Sequence, residues 1–107
     1  MNGQMNPIRI RRGRTERVTV YLPYPVKGDE ITSQIRVAAS RDSHLIATWT
    51  VDLNEDGTKI YLTLDDSITT DIAESAGYMD LKRVTGGEPV QLLDHPLLVE
   101  ISDPVTA

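Results

Sequence analysis

Residues 57–81 read GTKIYLTLDDSITTDIAESAGYMDL, and no other stretch limits the fold so tightly. Ile60, Leu62 and Leu64 alternate with Tyr61 and Thr63. That period of two belongs to a strand with one buried face. Asp65, Asp66 and Ser67 interrupt the strand and offer helix caps. Ile68, Ile72 and Ala76 recur four residues apart, which predicts a turn or two of helix laying one apolar stripe on the core. Gly77 stops this helix, and Tyr78 to Val84 resumes as a strand. A strand, a helical corner and a second strand in succession suit a chain that changes sheets in a β-sandwich.

The rest of the chain repeats the alternation in short pieces. Pro7 opens a strand with Ile8 and Ile10 inward and Arg9 and Arg11 outward. Arg12-Gly13-Arg14 is a turn or bulge, with Gly13 free to take a positive φ. Val18, Val20 and Leu22 form the inner face of a second strand, which Pro23 and Pro25 end. Lys27 to Glu30 is a loop. A third strand spans Gln34 to Ala39 with Ile35 and Val37 inward, and Arg41 to His44 is a polar turn. A fourth carries Leu45, Ala47, Trp49 and Val51 inward, with Trp49 as the large plug of the core. Asn54-Glu55-Asp56-Gly57 is a hairpin turn into the fifth strand, Lys59 to Leu64. The sixth strand turns Met79 and Leu81 inward, and Thr85-Gly86-Gly87-Glu88 is another hairpin turn. Val90 and Leu92 belong to a seventh strand. Asp94-His95-Pro96 interrupts it, and Leu97, Val99 and Ile101 either continue it or form an eighth. The expected fold is all-β, an immunoglobulin-like β-sandwich of seven to eight strands with one short helical corner. Residues 1–6 are expected to be a flexible arm, residues 7–103 the sandwich, and residues 104–107 a tail.

A chain of 107 residues with 39% apolar side chains can bury one modest core. It has no Phe and one Trp, so that core is built of Ile, Leu and Val, which favours sheets. The absence of Cys excludes disulfides, thiolate metal sites and thiol nucleophiles. No apolar run approaches the length of a membrane span, and MNGQMNP lacks the apolar core of a signal peptide. The net charge of −5 is unevenly spread: residues 1–28 carry six basic and one acidic residue, whereas residues 50–107 carry three basic and twelve acidic ones. An acidic body argues against general nucleic-acid binding and suggests a basic end that docks on an acidic neighbour.

Candidate sites compete with simpler roles. Asp52-Leu53-Asn54-Glu55-Asp56-Gly57 matches the start of a calcium loop, but its twelfth position is Thr63, so a hairpin turn is the better reading. His44 and His95 lie in turns, and no Glu or second His stands at metal-site spacing. Asp65-Asp66 suits a helix cap better than a catalytic carboxylate pair. Gly86-Gly87 lacks the Lys and the helix of a phosphate-binding loop. Nothing pairs a nucleophile with a base, so an enzyme is not expected, and no cofactor or metal is implied. The least ordinary feature is the set Arg9, Arg11, Arg12, Arg14 and Arg17. Arginine forms bidentate pairs with carboxylates at interfaces, and no aromatic residue interleaves with the set to stack on bases. These five are the expected protein-docking residues, and no nucleic-acid partner is expected.

Four segments together resemble a known group of proteins. IRIRRGRTERVTVYL resembles the opening strands of small phage structural domains, and QIRVAASRDSHLIATWTVD resembles their next hairpin. GTKIYLTLDDSITTDIAESAGYMDLKRV resembles their most recognisable part, and PVQLLDHPLLVEIS their closing strand. The group includes the N-terminal domain of baseplate upper proteins and small β-sandwich virion proteins of phages infecting actinobacteria and lactic acid bacteria. Such domains often begin a longer tail protein, whereas here the sequence closes with the sandwich, so host recognition is not carried over. The resemblance implies a non-enzymatic virion structural protein. Its expected role is capsid decoration, docked on the major capsid protein, homo-oligomeric in the particle and made in the host cytoplasm. An accessory place in the tail, neck or baseplate is the alternative. A carbohydrate-binding module is a third reading, for which Tyr21, Tyr24 and Tyr61 supply aromatic rings.

Overall fold

A computed structural model describes residues 7–26, 28, 30–40, 42–85, 88–91 and 96–103. The described residues are mostly strand with one short helix, the all-β class expected. The elements are β1 (Ile8–Arg11), β2 (Glu16–Tyr21), β3 (Glu30–Thr32), β4 (Gln34–Arg36), β5 (Leu45–Thr48), β6 (Thr50–Leu53), β7 (Lys59–Leu64), α1 (Asp66–Thr70), β8 (Ala76–Met79), β9 (Lys82–Thr85), β10 (Glu88–Gln91) and β11 (Leu97–Ser102). They form a five-stranded sheet in the order β1-β11-β8-β4-β5 and two three-stranded sheets, β10-β9-β3 and β2-β7-β6.

The excess over eight strands has one physical origin. β3 and β4 are a single extended run broken only at Ser33, and β8 and β9 are one run broken at Asp80 and Leu81. Thr32 faces Lys82 and Ile35 faces Met79, so the register crosses the gap with no residue inserted on either side. The β10-β9-β3 sheet is therefore the bent continuation of the five-stranded one. β5 and β6 are likewise one run, broken at Trp49, but here the two halves part: β5 pairs with β4, and β6 pairs with β7 in the other layer. Counted as continuous runs, the described residues form eight strands, or seven when β10 and β11, which follow one another beside β9 and β8, are counted as one; both numbers fall in the expected range. The change of sheet falls at Trp49 as well as at the helical corner, where the sequence placed it.

All three breaks are tied to one another. Trp49 N–H donates to the Ser33 carbonyl at 2.9 Å, and Asp80 N–H donates to the Gln34 carbonyl at 3.4 Å. The buried Ser33 hydroxyl donates to the Asp80 carbonyl at 2.5 Å. Behind this junction Ile10, Ile35, Met79, Val99 and Ile101 of the bent sheet meet Ile60, Leu62 and Leu64 of the facing one, with Trp49 and Leu81 between them. That shared core makes the two layers sandwich-like. β1 closes one edge by pairing parallel to β11. β10 and β11 follow one another along the same side of the β8–β9 run, with the register shifted by three residues between Gln91–Lys82 and Leu97–Met79, so the last strand continues the seventh past an interruption.

Several local expectations are corrected. The third strand ends at Arg36, where the pairing with β5 shifts register, and Val37 is exposed. Leu45 is also exposed, and Ile46 packs against the core in its place. In α1 the buried residue is Thr69, not Ile68, because the Thr69 hydroxyl donates to the Arg14 carbonyl at 2.7 Å and anchors the corner there. Asp65 stands at the N-cap without a side-chain capping bond, and its carboxylate accepts instead from the Ser67 hydroxyl. Ala76 and Gly77 belong to β8 rather than to the end of a helix. Gly13 and Gly57 take positive φ angles of 81° and 74°, as the two turns demand. The expectations for residues 1–6, Lys27, Asp29, Arg41, Gly86-Gly87, Leu92 to His95 and residues 104–107 lie outside the described residues.

Gly77 is required by close packing. A Cβ placed there would lie 2.8 Å from the Arg36 carbonyl oxygen and 2.8 Å from Ile46 Cδ1. The backbone oxygen cannot swing aside as a flexible side chain would. Gly77→Ala should therefore destabilise the fold by about 1–3 kcal/mol. The measurement is a lower urea midpoint at unchanged slope, followed by Trp49 emission.

Candidate functional site

The five arginines divide when the chain folds. Arg9 and Arg11 point outward from β1, an edge strand, because Ile8 and Ile10 take the inward positions. Arg9 Nε donates to Glu100 Oε1 across the β1–β11 pair at 3.3 Å. Both side chains are largely exposed, so solvent screens this pair and it contributes little stability. The Arg11 backbone N–H, facing the open edge, donates to Glu16 Oε2 at 2.7 Å. The guanidinium groups of Arg11, Arg14 and Arg17 have no partner among the described residues. Arg17 projects from β2, in the other layer. The outward faces of two packed sheets look away from each other, so Arg17 does not share a surface with Arg9 and Arg11.

Arg12 does a different job. Its side chain is only 20% exposed. Nε donates to the Ile72 carbonyl at 2.7 Å, and Nη2 donates to the carbonyls of Glu74 at 2.6 Å and Ala73 at 3.4 Å. Nη1 reaches Asp103 Oδ1 at 3.1 Å. One planar fork thus satisfies three successive carbonyls of the segment between α1 and β8, which has no ladder of its own. The sequence grouped Arg12 with its neighbours because spacing cannot show that the first turn folds over this segment.

The basic end is also not purely basic. Glu16, Glu100 and Asp103 stand beside Arg11, Arg9 and Arg12. The acidic start of α1 is held against the same turn, since Asp66 N–H donates to Thr15 Oγ1 at 3.2 Å. The charges that sequence order separates are interleaved in space.

Beside Arg9 and Arg11 the outward face of the sheet carries a feature the sequence reading missed. Leu98 of β11 faces Tyr78 of β8, and both are exposed. A shallow, open depression lies between Arg9, Arg11, Ala76, Leu98 and Glu100. Its signal lay in the alternation itself: Tyr78 and Leu98 are the outward partners of buried Met79 and Val99.

The remaining candidates settle into structural positions. Asn54 Oδ1 accepts from the Thr58 and Lys59 N–H groups at 2.9 and 3.0 Å, making Asp52 to Gly57 a side-chain-braced hairpin. Among the described residues no three His, Cys, Asp or Glu side chains gather to hold a metal ion. His44 Nε2 lies 3.5 Å from Glu74 Oε2 on the surface, and His95 lies outside the described residues. Tyr21 and Tyr61 share the outward face of the β2–β7 pair. Tyr24 does not, and its ring centroid lies 5.2 Å from the Arg83 guanidinium. No described helix is long and apolar enough to cross a membrane. No family model matches the chain, and no curated protein matches it in sequence.

Truncating Arg12 would leave buried or half-buried carbonyls unpaired. Arg12→Ala should cost about 1.5–3 kcal/mol, whereas Arg17→Ala, on an open surface, should stay within about 0.5 kcal/mol. Paired thermal and urea unfolding curves check the contrast, and equal losses would show that Arg12 is not a clamp.

Proposed function

We propose that this protein is a non-enzymatic structural component of a phage virion, a capsid decoration protein that docks on the head lattice. The reading rests on the resemblance of its four segments to small phage structural domains. One structural observation supports it most directly: Arg9 and Arg11 flank an exposed Tyr78–Leu98 pair on one sheet face. Tyrosine and arginine are enriched at the centres of interfaces, where an apolar anchor excludes water around charge-assisted hydrogen bonds. Stable docking needs roughly 1,000 Å² of total buried surface. A flat face contacting more than one capsid subunit can supply that area. Arg12 serves docking only indirectly, by holding the neighbouring segment in shape.

Electron cryo-microscopy of purified particles that carry the protein tests this. Density for the sandwich is expected on the head, with the β1–β11–β8 face inward. Density confined to the tail, neck or baseplate would favour the accessory role, and absence from the particle would sink both. Arg9→Ser combined with Arg11→Ser and Tyr78→Ser should empty the sites while leaving the fold intact. Full occupancy by that variant would refute docking through this face.

A further inference from the structure

We propose that the outward face of the β2–β7–β6 sheet binds an acidic oligosaccharide. This face belongs to the layer opposite the docking face, and the inference does not depend on that reading.

The face is assembled by register. Tyr21 faces Lys59 and Thr19 faces Tyr61 across β2 and β7, and Tyr61 in turn faces Asp52 of β6. Tyr21 and Tyr61 are thus diagonal neighbours, with Cβ atoms about 7 Å apart or less. Tyr21 is 71% exposed and Tyr61 39%. Two tyrosine rings presented to water on rigid, paired strands form a platform for the apolar C–H face of a sugar ring, and their hydroxyls remain free to hydrogen-bond at its rim. Rigidity matters here because little side-chain entropy is lost on binding.

Charge selects the class of sugar. Arg17 and Lys59 are the cations of this face and Asp52 its carboxylate, a local excess of positive charge on a chain of net charge −5. Lys59 Nζ sits 5.6 Å from the centroid of the Tyr21 ring, so a cation and a stacking surface meet at one point. A uronic acid stacked on Tyr21 would place its carboxylate against Lys59. Arg17 faces Thr63, four residues further along β7, which sets the two cations about 14 Å apart along the strands. That separation suits a chain whose acid groups are spaced by whole sugar rings. Asp52, beside Tyr61, accepts hydrogen bonds from sugar hydroxyls. Against a nucleic acid, with a phosphate at every unit, the same carboxylate would be repulsive and two cations too few.

The test is titration of the full chain with tetragalacturonate and with tetramannuronate, followed by calorimetry and by the ring resonances of Tyr21 and Tyr61. Maltotetraose and a thymidine oligonucleotide serve as comparisons. Binding of at least one acidic tetrasaccharide is expected, with a dissociation constant on the order of 1 mM. It should weaken as salt is raised, because exposed charges carry the selectivity. Tyr21→Ala and Lys59→Ser, both on the open surface, should each weaken it about fivefold or more with Trp49 emission unchanged. The proposal fails if neither acidic tetrasaccharide shifts the tyrosine resonances at about 10 mM, well above the expected constant. It fails equally if maltotetraose or the oligonucleotide binds as tightly, or if both variants bind like the parent chain.

Discussion

The fold depends on a knot of three hydrogen bonds where Ser33, Trp49 and Asp80 come together. At this point one sheet bends and one strand leaves it for the facing layer. Bending would strand backbone donors and acceptors in the interior, and an unpaired buried group costs about 1–3 kcal/mol. The Ser33 hydroxyl meets the Asp80 carbonyl, and the Ser33 carbonyl takes the Trp49 backbone N–H, so these backbone groups stay paired at the bend. An apolar side chain at this position would fill the space without supplying the donor.

Trp49 shows which force prevails at that junction. It is nearly fully buried, yet its indole N–H has no partner among the described residues. Burying an aromatic ring of 150–250 Å² is worth about 4–6 kcal/mol at 25 cal/mol per Å². The unpaired N–H costs about 1–3 kcal/mol. Size therefore decides the position. In a chain without Phe or Cys, no other side chain fills as much of the space between the layers.

The same junction explains how much of the fold could be read from sequence. Inward positions keep their parity through every break: Ser33 and Ile35, Ala47 and Trp49, Met79 and Leu81 are all buried in step. Alternation reports which side faces the core and not which sheet a residue belongs to, so strands and core were legible while the bends were not. Turns were legible for a separate reason, since Gly13 and Gly57 adopt angles that few other residues tolerate. Thr69 went unread and Arg12 was misread because both are placed by partners more than fifty residues away in sequence. The candidate docking site was partly legible for the same cause. Arg9 and Arg11 follow from alternation on one strand, but their neighbours Tyr78 and Leu98 come from two others.

Charge in space follows the architecture rather than the order of the chain. Glu55 and Asp56 occupy the hairpin between β6 and β7 at one end of the layers. Asp65, Asp66 and Asp71 occupy the helical corner at the other end, because β7 runs from one to the other. The guanidinium of Arg11, without a partner among the described residues, projects from one broad face, while Arg17 and Lys59 project from the other. Like-charged ends repel end-to-end stacking of copies, and the less acidic faces are left as the surfaces on which contact is electrostatically least opposed. A two-layer molecule offers two such faces turned away from each other, so each can be engaged without covering the other.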